Sequence, residues 1–192
     1  FNNYDEIDFV EQKMFDYFYK MFEKKGFILL GWAEVGFVYI FSNIPIRSPD
    51  DMKNARMWMW EGDPLVKETY KVFGISPYPL PVTDVMTSLQ TNLINAFYAS
   101  PLATIALQWF TRVKFMTGLP LTNATGVVLI TKRYFNNLPV EFQSILKESC
   151  AKYLRKIVIE SRKENEQSIE VLKENGIKVI DIKDSDKIKY FK

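Results

Sequence analysis

The sequence predicts a mixed α/β fold, and three observations carry that prediction. Helical and strand periodicities alternate along the chain. Short apolar runs are followed by polar cap residues and proline, which open helices. Between Pro139 and Gly176 there is neither Gly nor Pro, and a helical period holds through much of that stretch.

The elements follow in order. Ile7, Val10, Met14, Tyr17, Phe18, Met21 and Phe22 recur at steps of three and four, and the pattern ends at Lys24, Lys25 and Gly26, a basic last turn followed by glycine. This is an amphipathic helix starting near Asn2 or Asn3. The apolar runs Phe27 to Trp32 and Phe37 to Phe41 suit two strands. After the Pro45 turn, Ser48 is placed to cap one helical turn reaching Lys53. Arg56 to Trp60 reads as a strand, Asp63 and Pro64 open a helix, Gly74 closes it, and Ile75 to Tyr78 reads as a short strand. That succession has the connection length of a βαβ unit in a parallel sheet. Downstream, Thr83 and Asp84 cap a helix to Thr91, and Ile94 to Tyr98 suits a buried strand. Pro101 starts a helix reaching Arg112 or Val113, and Gly126 to Thr131 is a β-branched strand. The long helix after Pro139 would measure about 55 Å over about 37 residues, which suits an element that spans two lobes or kinks between them. Lys178 to Ile182 is the last strand expected.

Composition excludes several classes of function. The 192 residues carry 25 Lys and Arg against 23 Asp and Glu, with 47% apolar residues, so neither a disordered tail nor a nucleic-acid binder driven by bulk charge fits. A lone cysteine, Cys150, permits no intrachain disulfide, and the absence of histidine removes the usual ligand of zinc and iron sites and the base of Ser-His triads. No cofactor and no metal are expected. No apolar run is long enough for a spanning helix. Phe1 to Asp8 (FNNYDEID) is acidic and broken and does not read as a secretory leader, so the chain is expected to be a processed or truncated piece. Charge is sparse from Pro81 to Thr131, where only Asp84, Arg112 and Lys114 are ionised. The core and any ligand pocket belong there, and the charged stretch from Lys132 onward reads as a solvated face.

The chain carries no glycine-rich phosphate loop, no G-x-S-x-G elbow and no C-x-x-C. Glu61 follows a strand at its carboxyl end, where open α/β sheets place their ligands, but a lone acid with no partner base is more often a loop hydrogen-bonder than a catalyst. Trp58 and Trp60 fall on one face of a strand, with Met57 and Met59 on the other. Two indoles suit a core if their N–H groups find acceptors, and a ligand-contacting wall otherwise. Tyr98, Ser100 and Leu102 lie where a strand enters a helix N-terminus, which either is simply capped by Ser100 or offers amide donors to a ligand.

Five ordered motifs carry a family resemblance: 31–37 (GWAEVGF), 43–58 (NIPIRSPDDMKNARMW), 74–80 (GISPYPL), 88–96 (SLQTNLINA) and 136–143 (NNLPVEFQ). The chain resembles the solute-binding proteins of TRAP transporters (the DctP-like family), over nearly its whole length and as their C-terminal portion. The resemblance implies a periplasmic-binding-protein-like two-lobed fold of type II, here lacking much of the N-terminal lobe. Segment 1–42 is then the remnant of that lobe, 43–138 the C-terminal α/β lobe, and 139–192 the interlobe helix and tail. It further implies a protein of the periplasm or extracytoplasmic face, not an enzyme, that captures a small organic solute and delivers it to the small and large integral-membrane subunits. In the family an Arg that holds the solute carboxylate stands where this chain has Trp58, after Arg56 and Met57, and a second common Arg corresponds to Val38. The loss of both points to an aromatic or apolar solute rather than a simple dicarboxylate, unless Arg56 or a residue of the missing N-terminal lobe supplies the charge. The expected ligand-binding residues are Val38, Arg56, Trp58, Trp60, Glu61, Tyr98, Ser100 and Leu102. The alternatives are an apolar-ligand carrier or interaction protein of the same fold, and an α/β enzyme using Glu61. No nucleic-acid partner is expected. A truncated chain would expose apolar surface and associate or swap domains through it.

Overall fold

The computed structural model describes residues 3–182. The ends of the segments expected at 1–42 and 139–192, namely residues 1, 2 and 183–192, lie outside the described residues. The chain divides into two compact units that interleave in sequence: residues 1–36 with 123–163, and 37–122 with 164–192.

The first unit begins with α1 (Tyr4–Lys24), capped by the Asn3 side chain, which accepts from the Glu6 amide at 2.9 Å. Strand β1 (Phe27–Ser42) follows as one continuous element, where the sequence suggested two strands broken around Glu34 to Gly36. Two facts keep it whole. The Glu34 carboxylate is fully buried but salt-bridged to Arg162, and Gly36 takes φ 103, a conformation that costs glycine little. Strand β6 (Thr122–Thr131) pairs with β1 and starts earlier than Gly126, the first residue expected. A short helix, α6 (Lys132–Asn136), is capped by Thr131 and has no counterpart in the sequence reading. Helix α7 (Val140–Glu174) is 35 residues long, as the gap in Gly and Pro predicts, and belongs to the first unit up to Lys163 and to the second thereafter.

The second unit holds the described hydrophobic cores. After the one-turn helix α2 (Pro49–Met52), capped by Ser48, comes β2 (Trp58–Trp60). The Asp63 carboxylate accepts from the Leu65 and Val66 amides to cap α3 (Pro64–Val72). Strand β3 (Tyr78–Leu80) lies later than the run expected at Ile75 to Tyr78, because its parallel register sets Trp58 opposite Tyr78 and Trp60 opposite Leu80. Helix α4 (Val85–Gln90) and strand β4 (Ala96–Ala99) come next. Helix α5 (Pro101–Ala106) stops short of Arg112, because Gln108 takes φ 57 and the chain restarts as a single 3-10 turn from Trp109 to Arg112. Strand β5 (Phe115–Thr117) was not legible in the sequence, and β7 (Lys178–Ile180) is.

The sheet is mixed rather than parallel throughout. β1 runs antiparallel to β4 and β5, while β5 with β7 and β2 with β3 are parallel. A parallel bridge joins Met57 to Ala96, bringing β2 alongside β4. Alternation along these strands builds two cores. Phe41, Trp58, Phe97 and Met116 fall in one, while Ile40, Met57, Met59 and Ala96 fall in the other.

Candidate functional site

All eight residues singled out from the sequence lie in the second unit. They gather only in part. The group that does converge sits at the carboxyl ends of β2 and β4, and it is built by the strand period. Trp58 and Tyr98 face one another with ring centroids 5.0 Å apart and planes 23° off parallel, and Trp109 meets Trp58 edge-on at 5.6 Å. The Trp60 amide donates to the Tyr98 hydroxyl at 3.1 Å, tying the two strand ends together. Tyr70 meets the Tyr98 ring edge-on at 6.5 Å and donates its hydroxyl to the Trp58 carbonyl at 3.2 Å.

Trp58 is enclosed in this arrangement. Only 4% of it is exposed, and its indole N–H donates to the Leu80 carbonyl at 3.0 Å, so the acceptor that a core tryptophan needs is present. Trp60, two residues on, is 54% exposed and presents its ring to solvent at the same strand end. Burial, with the Asp63 carboxylate beside it, pushes the Tyr98 hydroxyl from 10.0 up to about 12, even though the bond from the Trp60 amide favours the anion. Tyr98 is therefore a neutral group at any physiological pH. Burial likewise holds Tyr70 well above its ordinary value.

The remaining residues make their contacts elsewhere in the unit. Arg56 donates through Nε to the Asn92 carbonyl at 3.1 Å and through Nη2 to the Asn92 side chain at 2.7 Å, which leaves its guanidinium engaged at the loop after α4. Val38 is buried, and its carbonyl accepts from the Leu121 amide. Ser100 is buried as the cap of α5, accepting from the Ala103 amide at 3.3 Å, so the simple cap accounts for its hydroxyl. The Leu102 amide donates to the Asn165 side chain at 3.1 Å. Glu61 is exposed in the turn after β2. The sequence reading passes over Trp109 and Tyr70 and treats Asp63 only as a cap. Trp109 falls inside the helix expected from Pro101 to Arg112, but the structure ends α5 at Ala106 and puts Trp109 in the 3-10 turn that follows, which sets its direction.

Among the described residues, no group of three His, Cys, Asp or Glu side chains could hold a metal ion. No helix among them is long and apolar enough to cross a membrane. The two α/β units share strand β1 and helix α7. Comparison with known proteins identifies the class. The chain belongs to the DctP family, the bacterial extracellular solute-binding proteins of family 7, whose model matches residues 1–192. The family is one of TRAP-transporter solute-binding proteins rather than enzymes.

The chain is 31% identical over 163 residues to the 2,3-diketo-L-gulonate-binding periplasmic protein YiaO of Escherichia coli K12, covering 82% of this chain and 48% of that protein. It is 25% identical over 135 residues to the ectoine/5-hydroxyectoine-binding periplasmic protein UehA of Ruegeria pomeroyi, covering 70% and 40%. The chain thus spans about half the length of the curated relatives it matches. In fold it matches DctP7, a Bordetella pertussis extracytoplasmic solute receptor binding pyroglutamic acid, with a TM-score of 0.91 at 18% identity, over 99% of this chain and 62% of that one.

Proposed function

We propose that the protein is the solute-binding subunit of a TRAP-type transporter, working on the extracytoplasmic side and delivering a small organic solute to the membrane subunits. Family membership and relatives that are periplasmic binding proteins support this role. Within it, the carboxyl ends of β2 and β4 form one wall of the solute site. Trp60 and Tyr98 are its contact residues, the enclosed Trp58 backs them, and Glu61 lies in the exposed turn beside Trp60. The solute is aromatic or apolar on the side that meets this wall.

The observation that carries the solute class is the state of the cations. Trp58 fills the position where the family resemblance expects an Arg, Val38 fills the other, and the Arg56 guanidinium is bonded to Asn92. A carboxylate desolvated against Trp60 and Tyr98 would find no cation among these residues, and a buried unpaired charge is strongly disfavoured. An apolar-ligand carrier of the same fold is the second reading, favoured by Leu65 and Val72 of α3, which are 71% and 80% exposed.

Thermal shift with a panel of succinate, pyroglutamate, ectoine, benzamide and indole tests the proposal, since a ligand that binds only the folded state raises the midpoint by mass action. The uncharged aromatic probes are expected to raise it and succinate to leave it unchanged. A shift with succinate alone would overturn the solute class, and turnover of any probe that Glu61→Gln abolishes would overturn the binding role. Mass spectrometry of solute extracted from the purified protein identifies the natural occupant.

A further inference from the structure

The chain passes between its two units at three places: after Gly36, before Asn123 and after Lys163. One buried carboxylate in the first unit touches a residue beside each of them. Glu34 stands two residues before the first crossing, and its side chain is wholly buried. Arg162, one residue before the last of its stretch, donates to it through Nε at 3.2 and 3.0 Å and through Nη2 at 2.5 Å. Asn123, the first residue after the second crossing, donates its side-chain amide to the same carboxylate at 3.4 Å.

The knot is closed by further groups of the first unit. Asp8 of α1 takes the other side of the guanidinium, with Nη1 at 3.1 Å and Nη2 at 2.5 Å, and the Tyr4 ring lies 4.4 Å from its central carbon. The Thr125 hydroxyl lies within hydrogen-bond distance of both Asn123 and Glu11. Burial works against the Arg162 charge, but its bonds to Asp8 and Glu34 outweigh it and hold the guanidinium protonated.

We propose that Glu34 is the centre of a clasp that fixes all three crossing segments to the first unit as one body, so that the chain bends between its units only beyond the clasp, at Gly36 and Phe37, at Leu121 and Thr122, and from Glu164. Glu34, Arg162 and Asn123 are positioning residues in this scheme and contact no solute. The geometry suits the task. A bidentate Arg–carboxylate pair has a fixed orientation that a single hydrogen bond lacks, and Gly36, with φ 103, stands just past the clasp, where torsional freedom is useful. The inference goes beyond the proposed function and stands whatever solute is bound.

Hydrogen–deuterium exchange of the full chain tests it. In Glu34→Gln, amides in 34–38, 122–126 and 160–166 are expected to exchange together about tenfold faster or more, while those of the pairing between β1 and β4 around Phe41 and Phe97 keep their wild-type rates. The double variant Glu34→Gln/Arg162→Met removes both charges and leaves no buried ion unpaired, so it reads the same segments if the single variant fails to fold. Arg162→Lys keeps the charge but loses the fork, and is expected to loosen all three segments too. Acceleration confined to 34–38, or spread equally through both units, would overturn the clasp.

Discussion

Trp58→Ala separates a packing role for this indole from direct solute contact. A buried tryptophan removes about 200 Å² from water, and at about 25 cal/mol per Å² this corresponds to about 5 kcal/mol of transfer free energy. With only 4% of Trp58 exposed, nearly all of that applies here. Alanine keeps a small part of it, and the side-chain entropy released on truncation offsets more. The cavity between Tyr98 and Trp109 adds a penalty. The expected loss is about 3–5 kcal/mol in urea unfolding of the full chain followed by far-UV circular dichroism, with an unchanged m-value. Trp58→Phe keeps most of the contact area but deletes the N–H that reaches Leu80, leaving that carbonyl with only the Glu61 amide at 3.4 Å, and should lose about 1 kcal/mol. A cycle with Tyr98→Leu isolates the stacked pair, for which a coupling of about 0.5–1.5 kcal/mol is expected. A loss below about 1.5 kcal/mol for Trp58→Ala, or zero coupling to Tyr98, would refute the enclosed packing. If solute affinity falls more than tenfold in Trp58→Phe while stability holds, the indole touches solute directly.

Further expectations follow from the same unit. Trp60→Ala should leave the unfolding midpoint nearly unchanged, because the ring is largely exposed, yet weaken solute binding by about 2 kcal/mol in titration calorimetry if it is a contact anchor. Tyr98 titrates near 12 in the fold and near 10 when unfolded, so above pH 10 the unfolded chain loses this proton first. Its contribution is intact below pH 10 and is lost as pH rises toward 12, and Tyr98→Phe should show a shallower fall in melting temperature across that window. Ser100→Ala removes the cap of α5 and should cost about 1 kcal/mol of stability by urea unfolding. Gly118→Ala would set a methyl group 2.8 Å from the Ile180 carbonyl oxygen, which is backbone and cannot rotate away. It should weaken the pairing of β5 with β7 by about 1–3 kcal/mol, read as faster amide exchange at Lys178 to Ile180.

How much was legible depended on whether the signal was local. The long helix α7, the caps at Asn3, Ser48, Asp63 and Ser100, and the glycines that end α1 and α3 were all readable, because each rests on a few neighbouring residues and their own backbone groups. The five motifs between residues 31 and 143 were enough to identify the family, and the strand period placed Met57 and Met59 opposite Trp58. Strand β5 escaped because three residues carry no period, and α6 because its start depends on a threonine cap at the end of β6.

What tertiary structure decided was how each candidate side chain is used. The sequence showed that Trp58 needs an acceptor for its N–H, but only the parallel register of β2 with β3 supplies the Leu80 carbonyl. The resemblance likewise left Arg56 as an expected ligand-binding residue, and the fold bonds it instead to Asn92, 36 residues away. Glu34 read as a break between two strands until Arg162, 128 residues downstream, paired with it and let β1 run unbroken. In each case the deciding partner is remote in sequence. Desolvation makes a buried polar group depend on whichever partner the fold brings to it, and short-range pattern cannot reveal that partner.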